Sequence, residues 1–477
     1  MTFCITEFIL AVNYLKSKRK QRKKPANHSP TLEHFPLVAV QIPIFNEKYV
    51  AERVIRSAAT LDYPKDRLQI QVLDDSTDET VDISKRIAAE LVDIGFDISV
   101  LHRTDRDGFK AGALKAAMPH CKGEYVAIFD ADFIIQPDFL KATLPYFKDP
   151  KIGMVQTRWG HLNENYSLLT KIQAFFIDIH FSVQHTGRNE YGYFINFNGT
   201  AGIWRKSCIE DAGGWTPDTL TEDLDLSYRA QMKGWQFKYK EDIVAPAELP
   251  AHISGIKSQQ FRWIKGGTQV GVKLFNQLIK CSADGKQKWF GLTHIFAGST
   301  YLLSFLLYAM SVPLIFIFYT TSLKSFIPYM SLFIFSTLIV LFTGGVSFFH
   351  SNHNMKHPWQ SFLGRFTAFL LFTMGLSLNN AIATIEGFSG KKSDFIRTPK
   401  FNLTNQKSIE HWSKFSYIRK GLAGQVILEI ILLLYFLLGI AIGIYYQFYH
   451  LIPLHLMLVI GYGMIVYYSF KHAIIDR

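Results

Sequence analysis

The feature that most constrains this chain is the uneven placement of its apolar residues. Charged residues crowd the stretch before about residue 290, and five long apolar runs follow, at 294–319, 329–349, 362–385, 426–446 and 451–470. At 1.5 Å per helical residue each run is long enough to cross a hydrocarbon layer of about 30 Å. A chain of 477 residues also exceeds one compact core and leaves room for domains of roughly 100 to 200 residues. The pattern predicts a soluble α/β domain over 37–255, interfacial helices over 256–292 and a membrane region over 293–477. Residues 1–36 are expected to be a short membrane-associated start.

The net charge of +12 raises the question of nucleic acid, but the basic residues lie where chains meet membranes. Seven of the nine residues in KSKRKQRKK, 16–24, are Lys or Arg, directly after the apolar stretch 3–15. Such a cluster marks a cytoplasmic face and favours anionic headgroups, so a lipid bilayer is the expected partner and nucleic acid is not. The stretch 3–15 is too short to span and carries Glu7, which predicts an interfacial helix or the end of a span. The segment 389–424 holds eight Lys or Arg and is expected on the same side as the α/β domain. An even number of crossings must then separate them, and 362–385, which carries Arg365, Asn379 and Asn380, is expected to lie in plane or re-enter. Cys4, Cys121, Cys208 and Cys281 are far apart and read as isolated thiols.

From about residue 37 to 155, short apolar strands alternate with helical patterns, as in a parallel sheet wrapped by helices. Strands are predicted at 38–45, with Pro43 marking the end, and at 68–76, 97–103 and 125–132. Helices are predicted at 47–61, 78–94 and 109–119. In open α/β sheets ligands bind beyond the carboxyl ends of the strands, and two predicted strands end there in carboxylates: Asp74-Asp75 and Asp130-Ala131-Asp132.

An isolated Asp-x-Asp is an ordinary solvated turn. At a strand end it can also supply oxygen ligands to a hard cation that bridges to a diphosphate. Thr221-Glu222-Asp223 reads as a helix start, with Thr221 as N-cap and Gly234 as the stop; one of its carboxylates could instead serve as a general base. In Gln259-Gln260-Phe261-Arg262-Trp263 the Arg offers a donor fork for phosphate and the Trp a flat face for a sugar ring. Phe197 to Arg205 (FNGTAGIWR) is a small-residue turn open to close approach. Lys110 stands near a helix start, suited to phosphate.

Taken in order, QIPIFNE, QVLDDSTDET, DGFKAGALK, FDADF, FNGTAGIWR, TEDLDL and QQFRW resemble the family-2 glycosyltransferases of the cellulose synthase superfamily, in particular the cellulose synthase-like A and C branches that include mannan and glucomannan synthases. The likeness covers about residues 37 to 275. It implies a GT-A (Rossmann-like) α/β catalytic domain with a C-terminal α-helical transmembrane domain, a UDP- or GDP-sugar donor, a divalent cation (Mg2+ or Mn2+) and inversion at the anomeric carbon. By that resemblance Glu47, Asp74, Asp75, Lys110, Asp130, Gln259 and Arg262 would bind the nucleotide sugar, with Asp74 or Asp75 on the base. Asp130 and Asp132 would hold the metal. Asp223 would be the catalytic base, with Glu222 beside it, and Asn198, Gly199, Thr200 and Trp263 would meet the acceptor. FIRTPKF, 395–401, resembles the family's gating loop.

The expected activity is growth of a β-linked polysaccharide such as mannan, glucomannan or a β-glucan. The alternatives are transfer to a lipid acceptor in one step, or a non-catalytic polymer-export protein. The expected membrane is a bacterial plasma membrane with the catalytic domain cytoplasmic, a Golgi membrane being the other. No PilZ-type domain follows the last apolar run, so regulation of that kind is not expected within this chain.

Overall fold

The computed structural model describes residues 2–23, 32–321, 331–351, 357–393, 398, 400–402 and 424–475. Seven strands form one sheet: β1 Val38–Ile44, β2 Leu68–Asp74, β3 Asp97–His102, β4 Tyr125–Ile128, β5 Ile152–His161, β6 Gly202–Arg205 and β7 Gln236–Ala247, in the order β3-β2-β1-β4-β6-β5-β7. The four strands β3, β2, β1 and β4 are parallel, whereas β6 runs antiparallel to both β4 and β5. The predicted all-parallel sheet is thus mixed, reversed at β6 alone, because the turn before Gly202 sends the chain back beside β4. In β1 and β2 nearly every residue is buried on both faces. Their register is pinned inside by Gln41 Nε2 donating to Gln71 Oε1 at 3.0 Å, an exchange that a one-residue slip would break.

Pro43 does not end β1, contrary to expectation; pairing with β2 continues through Ile44. Gln41 O accepts from Phe129 N on the β4 side, so alternation turns the position of Pro43 to that same side. Pairing with β4 stops at Gln41, and the missing N–H has no ladder to serve there. β4 is correspondingly shorter than predicted, ending at Ile128, because Asp130 N is taken by Thr200 Oγ1.

The helices of the first half are α1 Thr2–Lys23, α2 Ala51–Ala59, α3 Thr80–Asp93, α4 Phe109–Ala117, α5 Phe139–Thr143, α6 Leu168–Asp178, α7 Thr186–Asn189, α8 Lys206–Asp211 and α9 Glu222–Met232. α10 Ile253–Lys280 carries the Gln-x-x-Arg-Trp motif, and α11 Gly285–Ile295 follows with a capping box from Asp284 and Gln287. The remainder are α12 Ser299–Thr320, α13 Ser331–Ser351, α14 Pro358–Gly375, α15 Ser377–Ser389, α16 Gln425–Tyr445 and α17 Ile452–Ile475.

Among the described residues four stretches are long and apolar enough to cross a membrane: Ser299–Thr320, Ile334–Ser351, Gln425–Tyr445 and Tyr449–Ala473. The predicted run from 294 starts later, since His294 closes α11 and meets Tyr228 Oη at 2.9 Å. The run 362–385 is two helices, α14 and α15, bent by 53°, the geometry of a broken span or a re-entrant pair. Its polar residues face protein: Arg365 pairs with Glu164, and Asn379 Nδ2 donates to Lys257 O at 3.2 Å. The basic loop after α15 lies largely outside the described residues.

α1 is helical, as the interfacial-helix expectation has it, and longer than the apolar stretch 3–15. It is one helix of 22 residues running through the basic cluster, and it packs against the α/β domain and against α13 with a mixed face of polar and apolar residues. Thr6, Leu10, Asn13, Tyr14 and Ser17 are buried, at near i, i+4, i+7 spacing. Tyr14 Oη donates to Glu241 Oε1 at 3.1 Å, and Lys18 pairs with Glu241 Oε2 at 2.8 Å. Ile5, Phe8, Ile9 and Leu15 are left exposed on the helix surface.

Candidate active site

A cleft of about 200 Å³ opens over the carboxyl ends of β1, β2 and β4, where the strand order switches direction. It is lined by Glu47, Asp75, Lys110, Asp130, Asp132, Asn198, Gly199, Glu222, Asp223, Gln259, Arg262 and Trp263. Twelve of the fourteen residues singled out in the sequence therefore converge, from positions up to about two hundred residues apart.

Asp74 and Thr200 stand behind the cleft. Asp74 is fully buried, and its Oδ1 accepts from Ser76 N at 2.8 Å, so of the acidic pair Asp75 is the one that faces the cleft. Arg103 grips Asp75 as a fork, Nε to Oδ1 at 2.8 Å and Nη2 to Oδ2 at 2.6 Å. The same guanidinium donates to the carbonyls of Asp107 and Phe109, fixing the turn that delivers Lys110. Thr200 Oγ1 accepts from Asp130 N at 2.9 Å and holds that carboxylate in place.

Lys110 Nζ donates to Asp130 Oδ1 at 2.5 Å and to Gly199 O at 2.8 Å. Burial pulls the Lys110 ammonium down, but the carboxylates of Asp130, Glu222 and Asp223 outweigh it and hold its pKa above the ordinary value. Gly199 sits at φ +79°, and a Cβ there would stand 2.9 Å from Asp223 Oδ2 and 3.4 Å from Lys110 Nζ. The small-residue turn is therefore the place where the α9 carboxylate and the α4 lysine close on the backbone.

Asp223 Oδ1 accepts from Leu224 N at 2.8 Å, inside the first turn of α9. Burial pushes the Asp223 carboxyl up to about 8, and the charge of Glu222 adds to the effect; burial raises Glu222 as well. Thr221 precedes the helix but makes no capping hydrogen bond. A Cβ on Gly266 would meet its Cγ2 at 2.5 Å, so Thr221 is packed against α10 instead of capping α9. Gly234, at φ +97°, does close that helix. Burial lowers the Arg262 guanidinium to about 10, against the pull of Asp130, Glu222 and Asp132. It is still protonated at neutral pH.

The carboxylates of Asp130 and Asp132, side by side in the cleft, are the donors a divalent cation would meet. Asp130 and Asp132 are each matched by a lysine ammonium, Asp130 by Lys110 and Asp132 by Lys400, so positive charge already stands against both carboxylates. Their oxygens suit Mg2+ or Mn2+. Among the described residues no group of three or more His, Cys, Asp or Glu side chains could hold a metal alone. Two carboxylates completed by phosphate oxygens and water fit such an ion.

Of the gating-loop-like segment, Thr398, Lys400 and Phe401 are described, and they cross the cleft. Arg262 Nη2 donates to Thr398 Oγ1 at 3.0 Å, and Phe401 N donates to Glu248 Oε1 at 2.8 Å. Residues 395–397 and Pro399 lie outside the described residues.

Sequence reasoning missed Trp159, His161, Arg106 and Glu248, all of which line the cleft. Trp159 lies 6.5 Å from Trp263 between ring centroids, and His161 Nε2 is 2.9 Å from Asp178 Oδ1. The apolar pattern fades after Val155, just where β5 becomes polar and reaches the cleft. Arg106, at φ +47°, lies 3.3 Å over the Phe45 ring.

Residues 36–266 match the family described as glycosyltransferase like family 2. Over 293 residues the chain is 42% identical to a probable glucomannan 4-beta-mannosyltransferase 4 of Oryza sativa subsp. japonica, covering 59% of this chain and 53% of that protein. It is 38% identical over 289 residues to glucomannan 4-beta-mannosyltransferase 7 of Arabidopsis thaliana, covering 58% and 52%. The chain spans about half the length of the curated relatives it matches. Among solved structures it is similar to a mannosyltransferase of Pyrobaculum calidifontis in complex with GDP-Man and Mn2+, with a TM-score of 0.52 and 20% identity over 82% of this chain and 100% of that one. That likeness is one of fold, and the mixed-sheet domain is of the GT-A type.

Proposed function

We propose, for a chain whose residues 36–266 are a family-2 glycosyltransferase domain, that it transfers a hexose from a nucleoside-diphosphate sugar to a growing β-linked polysaccharide, with mannose from GDP-mannose as the first donor to test. The names of the plant relatives support a mannan or glucomannan product. The observation that carries the reading is the meeting of Asp223, Lys110 and Asp130 around Gly199, a base, a cation and a carboxylate brought to one point of the cleft.

The chemistry is a single displacement. The acceptor hydroxyl gives its proton to Asp223 while its oxygen forms the new bond to the anomeric carbon. The bond from that carbon to the diphosphate oxygen breaks on the opposite face, and the configuration inverts. Lys110 and Arg262 meet the charge that develops on the departing diphosphate. Asp130 and Asp132 would hold a divalent cation, Mg2+ or Mn2+, which when bound neutralises the diphosphate. Asp75, held by Arg103, is the group offered to the nucleobase, and Trp263 with Trp159 offers apolar faces to the acceptor sugar.

The cleft and the membrane helices belong to one chain, which favours a polymer made beside the bilayer. The reported relatives are plant proteins, which gives the expectation of a bacterial plasma membrane no support. The test is incubation of membranes containing the full chain with GDP-mannose or UDP-glucose, followed by sizing of the product and digestion. A high-mass product cut by β-mannanase is expected. A label confined to an organic-soluble glycolipid would favour the lipid-acceptor alternative.

A further inference from the structure

Behind the cleft lies a polar cluster that the reaction does not use directly. The chain between α6 and α7, Ile179–His185, is a π-helical turn. In an α-helix residues five apart point about 140° from each other; in a π-helix they fall nearly in line. His180 and His185 therefore stand together, with ring centroids 4.6 Å apart at 86°.

Both imidazoles close on the carboxamide of Asn198, which lines the cleft. His180 Nε2 and Asn198 Oδ1 are 2.9 Å apart, and Asn198 Nδ2 and His185 Nε2 are 2.9 Å apart. Asn196 Nδ2 also donates to Asn198 Oδ1 at 3.0 Å, fixing which end of the amide is oxygen. It follows that His180 donates from Nε2 and that His185 accepts at its own Nε2. The backbone N of Asn198 donates to Gln156 Oε1 at 3.0 Å. The carboxamide is thus held at both ends, one Nδ2 hydrogen is spent on His185, and the other remains for the cleft. On the far side, the Gln184 carboxamide lies 2.9 Å from His180 Nδ1 and 2.9 Å from the Glu7 carboxyl of α1. With Nε2 as the donor, Nδ1 of the neutral ring accepts, so the Gln184 amide nitrogen is the end that faces the ring. Its oxygen is the end that faces Glu7, whose carboxyl burial holds above the ordinary range.

We propose that His180 and His185 are positioning residues that hold the Asn198 carboxamide so that its remaining N–H binds a hydroxyl of the acceptor sugar, and that Gln184 and Glu7 tie this clamp to α1. The inference rests on the transferase reading and deepens it. It names the group that orients the acceptor, where π-helical turns are in any case enriched at functional sites.

The test uses the full chain in detergent with two probes, mannotetraose followed by tryptophan fluorescence and GDP followed by calorimetry. In His180→Leu, mannotetraose binding weakens about tenfold, the scale of one hydrogen bond to a bound sugar, while GDP affinity stays within about twofold. His180→Gln, whose amide nitrogen can stand near the position of Nε2, restores most of the binding. Combining His180→Leu with Asn198→Ala costs no more than Asn198→Ala alone. Should His180→Leu fail to fold, Asn198→Asp, which keeps the shape but removes the donor, carries the same comparison.

Unchanged mannotetraose binding in these variants, losses that multiply in the double variant, or a parallel loss of GDP affinity would each overturn the clamp. So would a wild-type chain that binds no mannotetraose. Failure of the transferase reading looks different: the wild type binds mannotetraose but releases no nucleoside diphosphate from GDP-mannose or UDP-glucose.

Discussion

At the scale of single residues, the site depends on carboxylates in contrasting surroundings. Asp223 is the proposed base, and Asp223→Asn keeps its size while removing the proton acceptor. Transfer should fall by about 10²- to 10⁴-fold with GDP binding retained, read as turnover and calorimetric affinity on the same preparation. Near-normal turnover would assign the base elsewhere. Burial and the Glu222 charge raise Asp223 to about 8, and only its ionised form accepts a proton, so kcat/KM should rise with pH through that region. Glu222→Gln removes a negative neighbour and makes Asp223 easier to ionise. The acidic limb of the kcat/KM profile should move to lower pH, and a shift to higher pH would contradict the assignment. The acidic residues were legible in the sequence because each ends a strand or starts a helix. Asp74 and Asp75 could not be separated there, since which one points outward is decided by the pleat at the end of β2. Trp159 and His161 were not legible, because a strand that turns polar as it reaches a cleft loses the apolar pattern by which strands are found.

Elements bring those residues together, and the turn at Gly199 is the tightest join. Gly199→Ala puts a Cβ 2.9 Å from Asp223 Oδ2 at φ +79°, a strain of about 1–3 kcal/mol. The expected result is a chain that still folds by circular dichroism but transfers sugar roughly ten- to a hundredfold more slowly. Wild-type turnover would mean that the Asp223–Lys110 approach is not needed. Helix α1 shows why part of the fold was hidden in the sequence. Its apolar residues suggested a lipid contact, and Ile5, Phe8, Ile9 and Leu15 stay exposed, but the docking of Asn13, Tyr14 and Lys18 on Gly187 and Glu241 carried no such signal. Polar residues at helical spacing give no burial signal of their own; their partners lie some 170 to 230 positions away. Thr221 teaches the same lesson at a helix start, where packing against Gly266 replaced a cap.

For the molecule as a whole, the α/β domain meets the apolar helices through α6, which packs against α13 and α14, and through α10. Lys257 on α10 pairs with Glu429 on α16 at 2.7 Å, and Lys257 Nζ also donates to Ser469 Oγ of α17 at 3.3 Å. Breaking such a buried pair leaves an unpaired charge, at a cost of about 3–5 kcal/mol, whereas replacing both partners with apolar groups is often nearly neutral. Lys257→Met should therefore lower the thermal midpoint of the detergent-solubilised chain, and adding Glu429→Leu should recover most of the loss; no recovery would show that the pair is not the joint at α10. The division into an α/β domain and apolar helices was readable from composition, whereas the α10 joint depends on two charges that the sequence places 172 residues apart. The central claim is that the chain builds an inverted, β-linked product from a nucleotide sugar beside the bilayer. The most direct test supplies GDP-mannose or UDP-glucose to the purified full chain and reads the anomeric configuration of the sugar transferred, by NMR of the product. The account predicts GDP release with a β-linked, high-mass product. An α-linked product, or no release of nucleoside diphosphate from either GDP-mannose or UDP-glucose, would contradict it.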